Sequence, residues 1–258
     1  MNAPVPISRT FGNGSHLAVV MSPVMPEWDE GAFFAPLTDH LVGCDYRVRI
    51  FDTLSLLDED SCSLAAYAHR WSSHLQALGP ISLLAGNALG GSLAQALLGM
   101  PLARQVDNVL LISAPTRADA LLEQRLGEMA RLARAGKMTE ALHLLAYRVQ
   151  PAGTAAPSLP ARIECGADPR RMRRLSEGFD MLRGLDLAQI LDRFDKPVLS
   201  IHGQQSQLVR QVNVRLTANP AHRQLEIAGA GMRPLPEHLQ EIVAAMADTL
   251  HIKPQVQP

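Results

Sequence analysis

The chain has 258 residues, enough for one sizeable hydrophobic core, and fits one main domain with an insertion. Its 24 Lys and Arg balance 25 Asp and Glu to a net charge of −1, which argues against nucleic acid and anionic membranes as partners. The three cysteines have no paired spacing, so we expect neither disulfides nor structural zinc. There is neither a signal-peptide pattern nor an apolar run of about 18 residues, so we expect a cytoplasmic protein without a membrane span. We also expect no cofactor.

In the first part of the chain, short apolar runs alternate with helical patterns. Helices are predicted between the strands, and the helix over 63–78 places Ser61 or Ser63 at its N-cap. The predicted strands cover residues 16–22, 46–52, 81–86 and 106–115.

The alternation stops after Pro115 and resumes near residue 196. Residues 116–195 are rich in helical patterns and include a Pro- and Gly-bearing loop. Beyond them the pattern predicts a strand over 196–203, a short helix over 207–216, a strand over 223–231 and a closing helix over 235–250. We therefore expect an α/β fold with a mostly parallel central sheet and helices on both faces, formed by residues 1–115 and 196–258, with a helical cap over 116–195.

One stretch has the form of a catalytic turn. Residues 83–98 read LLAGNALGGSLAQALL, an apolar strand, a glycine-spaced turn and a helix. With the order of the predicted elements, this resembles the α/β-hydrolase superfamily, in its capped, esterase- and lactonase-like branch. In that family the turn reads G-x-S-x-G and a strained bend presents the serine above the sheet. Gly86, Gly90 and Gly91 match the glycine positions, but Ala88 stands where the serine would be.

The resemblance also assigns positions to the acid and the histidine of a catalytic triad. The acid is expected in GQQSQLV after the strand over 196–203, which places Ser206 there. The histidine is expected in GAGMRPLPEHL after the last strand, which places Met232 there. A serine nucleophile needs a general base, and that base needs a carboxylate, so this set predicts no serine-hydrolase activity.

Several other residues are candidate substitutes for the missing triad. Ser92 lies one helical turn beyond Ala88 and is expected to pack against the sheet. Asp119 could supply an acid, but a helix cap is the simpler interpretation. His238 is expected at the surface, and His202 is expected in a structural turn at a strand end. Cys62 follows the strand over 46–52 and is most simply a structural thiol. None of these forms a convincing catalytic pair.

The resemblance also implies positions for a pocket. Ser22 and Pro23 replace the family's His-Gly pair, so the backbone N–H donors would be those of Val24 and Leu89. Trp28 is expected to roof the pocket, with core packing as the alternative. Val24, Trp28, Ala88, Leu89, Ser206 and Met232 are thus the predicted ligand-binding positions.

An arginine-rich helical pattern lies within the predicted cap. Residues 168–186 carry five arginines among apolar positions at helical spacing. They could face an acidic partner or a phosphate, but a solvated basic face on a helix that covers the pocket is the simpler interpretation.

Two classes of function remain open. The first is a pseudo-hydrolase, a catalytically degenerate protein that binds a small apolar ligand or a protein partner. The second is a lyase, cyclase or isomerase that uses a relocated group such as Asp119, Cys62 or His202. An esterase or thioesterase with an unrecognised triad is a weaker third. The sequence predicts neither the identity of the ligand nor the oligomeric state.

Overall fold

The computed structural model describes residues 5–58, 63–155, 168–215 and 217–254. In these ranges the chain forms one sheet of seven strands, in the order β1-β3-β2-β4-β5-β6-β7. Strand β1 is antiparallel to β3, and every other neighbouring pair is parallel, which confirms the predicted mostly parallel sheet. The strands are β1 Ser8–Phe11, β2 His16–Met21, β3 Tyr46–Phe51, β4 Leu83–Asn87, β5 Val109–Ile112, β6 Val198–Gly203 and β7 His222–Ile227.

Helices cover both faces of the sheet. Alternate residues of β2 enter different apolar layers, Val19 on one face and Val20 on the other, as the period of a strand requires. The layer with Val19 includes α2, α3 and the insertion, whereas the layer with Val20 includes α1 and α8. The described α-helices are α1 Ala35–Gly43, α2 Leu64–Gln76, α3 Leu89–Leu97, α4 Ala120–Arg134, α5 Met138–Arg148, α6 Pro169–Asp180, α7 Ala188–Arg193 and α8 Leu235–Thr249.

Helix α2 shows how sequence signals set the local structure. The Ser63 hydroxyl accepts a hydrogen bond from the Ala66 N–H at 3.2 Å, so the predicted N-cap is confirmed for Ser63, whereas Ser61 lies outside the described residues. On the buried face of α2, Trp71 packs edge-on against Phe51 of β3, with ring centroids 5.4 Å apart. This contact fixes α2 against the sheet.

The short helix predicted over 207–216 is not observed in its described part, residues 207–215. Only a single 3₁₀ turn, Gln211–Asn213, forms there. Asn213 is fully buried, and its side-chain amide donates to the carbonyl oxygen of Arg117 and to the Asp119 carboxylate. These contacts with a distant segment hold the chain in a turn and override its helical pattern.

The segment between β5 and β6 contains four of the described helices, α4 to α7. Helices α4 and α6 pack closely together above the carboxyl-terminal edge of the parallel strands. That residues 116–195 form a separate cap domain stays a prediction. None of the described helices combines the length and apolar character needed to cross a bilayer.

Candidate functional site

The bend between β4 and α3 has a strained backbone at Ala88. Its φ of 47° and ψ of −115° lie in a region that L-residues rarely adopt. The Ala88 N–H donates to the Ile112 carbonyl at 3.1 Å, and the Ala88 carbonyl accepts from the Ser92 N–H at 2.9 Å. The conformation costs on the order of 1–3 kcal/mol and is maintained by the strand on one side and the helix on the other.

Three glycines allow this bend to close. A Cβ at Gly86 would overlap the backbone of Gly90, and a Cβ at Gly90 would overlap the carbonyl of Met21 in β2. A Cβ at Gly91 would overlap the side chain of Ala114. The glycines that match the family's positions therefore have a steric role in the bend.

A cavity of about 70 Å³ lies above Ala88, between the sheet edge and the inserted helices. It is small beside the roughly 300–1,000 Å³ of typical small-molecule pockets. Apart from Asn87 and Arg233, its lining side chains are apolar. Val24, Ala88 and Met232 line it from the core, and Leu122, Phe179 and Leu182 line it from the insertion.

The structure adds Asn87, a lining residue that the sequence analysis did not single out. Asn87 ends β4, is 3% exposed and directly precedes Ala88. Its Nδ2 atom is buried without a hydrogen-bond partner in the described part of the chain. Such a group costs about 1–3 kcal/mol unless something hydrogen-bonds to it. The available signal was an amide at the end of the apolar run LLAGN.

Met232 lies in the cavity wall and is 5% exposed. Its sulfur accepts a hydrogen bond from the Val209 N–H at 3.4 Å, and its own N–H donates to the Val149 carbonyl at 3.1 Å. The preceding Gly231 packs so tightly on the backbone of residues 149–151 that a Cβ would come within 2.7 Å of it. The loop after β7 is thus fixed against the inserted segment.

Ser206 is buried in the loop after β6 but is not one of the residues that line the cavity. Its backbone forms an isolated antiparallel bridge with Pro151, and the neighbouring Gln205 carbonyl accepts from the Ala152 N–H at 2.8 Å. The Ser206 hydroxyl has no hydrogen-bond partner within the described ranges. The residues at 206 and 232 therefore meet the same short piece of the insertion.

The other predicted pocket positions divide between the cavity and its surroundings. Val24 lines the cavity and lies close to Gly178 of α6, where an added Cβ would be 3.0 Å from the valine methyl groups. Leu89 is fully buried behind the lining. Trp28 also lies outside the lining, and its indole N–H donates to the Ser22 hydroxyl at 3.2 Å instead of roofing the cavity.

Ser92 and Asp119 have structural partners. The Ser92 hydroxyl donates to the Pro115 carbonyl at 2.8 Å in a fully buried position. The Asp119 carboxylate caps α4 by accepting from the Leu122 N–H at 3.0 Å, and it also pairs with Arg210 and Asn213. Burial raises the pKa of Asp119, but hydrogen bonds from Asn213 and Leu122 and the charge of Arg210 outweigh it and lower the pKa below its usual value.

The remaining substitutes do not meet at the cavity either. His202 is 1% exposed within β6, where its ring contacts Glu226 at 3.2 Å and Gln224 at 3.4 Å, both on β7. His238 is half-buried near the start of α8. Cys62 lies outside the described residues. In the described ranges, no group of three or more His, Cys, Asp and Glu side chains is arranged to hold a metal ion.

The arginines of α6 correct the expectation of a solvated basic face. Arg174 binds Asp52, the residue after β3, through two hydrogen bonds of 2.7 and 2.9 Å, and its Nε donates to the Met25 carbonyl at 3.0 Å. Asp52 and Arg174 side chains are only 5% and 17% exposed. Arg171 pairs with Glu27, and Arg173 pairs with Glu177 at 2.7 Å. The pairs of Arg174 with Asp52 and of Arg171 with Glu27 hold α6 on the core, whereas the Arg173–Glu177 pair lies within α6.

Comparison with known proteins gives structural matches without sequence matches. No protein-family model and no curated protein matches the chain. An α/β hydrolase from a Medee basin deep-sea metagenome library is similar with a TM-score of 0.76 and 12% identity, covering 98% of this chain and 96% of that one.

Two further solved structures give the same result. A bromoperoxidase from Bacillus anthracis has a TM-score of 0.75 at 16% identity, with 95% and 94% of the two chains covered. An enol-lactonase from Burkholderia xenovorans has a TM-score of 0.73 at 16% identity, with 95% and 96% covered. At these identities the similarity establishes a fold.

Proposed function

Given that the chain has the α/β-hydrolase fold, we propose that it is a pseudo-hydrolase that binds a small apolar ligand between the core and the inserted helices. The observation that carries the proposal is the cavity itself, which is lined by apolar side chains and has the methyl group of Ala88 at the tip of the bend. A protein partner in place of a small ligand is less well supported, because the cavity is small and lies between the core and the inserted helices.

The side chains around the bend argue against hydrolysis. Ala88 has no atom that can attack a carbonyl, and the Met232 sulfur cannot take up a proton at neutral pH. Ser206 carries no charge with which to orient a base. The activities in the names of the similar structures are therefore not extended to this chain.

No observation favours a relocated acid or base. Asp119 is engaged as a helix cap and in an ion pair, and His202 lies between two strands away from the cavity lining. Among the described residues, the cavity lining therefore has no pair of proton-handling groups for the non-hydrolytic enzyme that the sequence left open, and Cys62 lies outside those residues.

The size of the cavity limits its ligand. About 70 Å³ holds several water-sized groups but less than a drug-sized molecule. We therefore propose that the ligand is compact, with a few non-hydrogen atoms.

The absence of hydrolysis is tested with a fluorophosphonate probe and a panel of chromogenic esters. We expect no labelling and no turnover from the natural protein or from Ala88→Ser, because the added serine has no base at Met232. An authentic serine hydrolase serves as the positive control. Efficient labelling of Ala88→Ser would show that a histidine acts at the bend and would overturn the assignment.

Ligand binding is tested separately by ligand-observed NMR with small hydrocarbons and ketones. Binding to the natural protein supports the proposal only if Leu126→Trp, which places an indole in the cavity wall, abolishes it. A matched control is Leu132→Trp on the same helix, because Leu132 packs beside the core without lining the cavity. Equal binding by both variants would place the ligand elsewhere.

A further inference from the structure

The cavity contains one buried polar side chain in an otherwise apolar wall. Asn87 is 3% exposed, and its Nδ2 has no hydrogen-bond partner among the described residues. Arg233, the other polar lining residue, is exposed, and its guanidinium stacks 5.7 Å above the centre of the Phe33 ring. The two polar groups therefore differ, one being buried in the wall and the other reaching solvent.

The backbone on both sides fixes the position of Asn87 at the cavity. It is the last residue of β4, paired in register with Ile112 of β5, and it is followed directly by the strained bend at Ala88. A leucine would fill a similar volume without a buried donor that lacks a partner. An amide at this position is therefore best explained by a hydrogen-bond acceptor that enters the cavity.

The environment of Asn87 selects the kind of acceptor. A carboxylate at the buried position beside Asn87 would lose its hydration and regain one amide donor among apolar side chains, which does not compensate a full charge. Arg233, the cationic residue of the described lining, is exposed and stacked on Phe33, so an anion paired with it would stay hydrated instead of occupying that buried position. A neutral carbonyl oxygen loses far less hydration and is satisfied by one or two N–H donors. The apolar walls then enclose the hydrocarbon part of the same molecule.

Building on the proposed function, we infer that the ligand is a compact neutral carbonyl compound whose oxygen accepts a hydrogen bond from the Asn87 side-chain amide. The Asn87 amide acts as a specificity determinant, while the apolar lining accounts for the rest of the binding.

The test is a double-mutant cycle in which both the protein and the ligand change. The ligands are the shape-matched pairs acetone with 2-methylpropene and 2-butanone with 2-methyl-1-butene. Dissociation constants are measured for the natural protein and for Asn87→Leu. Comparing each ketone with its hydrocarbon in both proteins cancels their different transfer energies from water.

We expect Asn87→Leu to weaken ketone binding relative to the matched hydrocarbon by about 10-fold, the effect of one hydrogen bond to a buried donor. An unchanged ketone-to-hydrocarbon ratio would overturn the role of Asn87 while leaving apolar ligand binding intact. Failure of all four ligands to bind the natural protein would instead refute the proposed function, and this inference with it.

A second measurement does not depend on the variant folding. The infrared carbonyl stretch of ¹³C-labelled acetone is recorded for acetone bound to the natural protein and for acetone dissolved in an alkane. A hydrogen bond from Asn87 lowers the bound frequency relative to the alkane value. A bound frequency equal to the alkane value would show that the carbonyl has no donor and would reject the inference.

Discussion

Ala88 combines a costly backbone conformation with a side chain that has no reactive atom. Neighbouring residues hold this conformation, since Gly86, Gly90 and Gly91 let the strand, the bend and the helix approach without a Cβ between them. At the scale of single residues, the shape of the site therefore depends on glycine positions and its chemistry on residue 88.

The first prediction concerns the close approach at Gly90. Gly90→Ala places a methyl group on the Met21 carbonyl, and because both groups belong to buried backbone, we expect a loss of about 3 kcal/mol in the free energy of unfolding. Chemical denaturation of the natural protein and the variant measures this loss. The control is Gly43→Ala at the end of α1, where an added Cβ meets nothing within 4 Å. Equal stability of the two variants would contradict the steric explanation.

Sequence reasoning located the bend but missed the residue beside it. The glycine spacing predicted the strained turn and the position of Ala88. Asn87 differs because a polar residue at a strand end has many ordinary partners, and only three-dimensional contacts reveal that its Nδ2 atom has none in the described chain. The prediction that Trp28 roofs the pocket was made without a three-dimensional contact as well, because the sequence does not reveal the hydrogen bond of Trp28 to Ser22.

At the scale of elements, the ion pair between Arg174 and Asp52 fixes α6 over the cavity. Both side chains are largely buried, the pairing is bidentate, and the third donor of the guanidinium reaches the Met25 carbonyl. Met25 also lines the cavity, so this one arginine joins the inserted helix, the end of β3 and the cavity wall.

The second prediction is that Arg174→Met destabilises the protein by about 3 kcal/mol, since it leaves the Asp52 carboxylate buried without its partner. Arg170→Met on the same helix is the control, because Arg170 is exposed and its substitution is expected to change stability by at most about 0.5 kcal/mol. Urea denaturation of both variants measures the difference. A loss at Arg174 no larger than at Arg170 would reject the stabilising role of the pair.

Most elements were predictable because each has a local signal. The strand and helix periods, the Ser63 cap and the glycine turn all act over a few residues. Arg174 and Asp52 are 122 residues apart, and no local pattern predicts their pairing. The turn at Gln211–Asn213 was not predicted for the same reason, since the acceptors of the Asn213 Nδ2 atom lie more than 90 residues away.

At the scale of the whole molecule, three histidines make stability depend on pH. Burial lowers the pKa of His40, His202 and His222 below the ordinary value of 6.5, although Glu226 opposes this at His202. The unfolded chain therefore binds protons at these sites at a higher pH than the folded chain does. The stability that these histidines contribute is therefore retained at a pH above the ordinary histidine pKa. It is lost as the pH falls below that pKa toward the lower pKa values of the folded protein.

The third prediction is that His202→Gln reduces this dependence. The free energy of unfolding is measured near neutral pH and at about pH 5.5, and we expect the natural protein to lose more stability than the variant over that interval. His69→Gln, at an exposed position of α2, controls for the loss of one histidine. An identical pH dependence in the natural protein and His202→Gln would show that protonation of His202 is not coupled to unfolding.

The bend at Ala88 also makes this chain a scaffold for engineering. Its backbone is shaped by the surrounding glycines and strand contacts, so a small side chain introduced at position 88 is delivered to the cavity without redesign of the main chain. A cysteine there would provide an attachment point for a covalent label, and new reactivity could be installed at a location that the fold already presents.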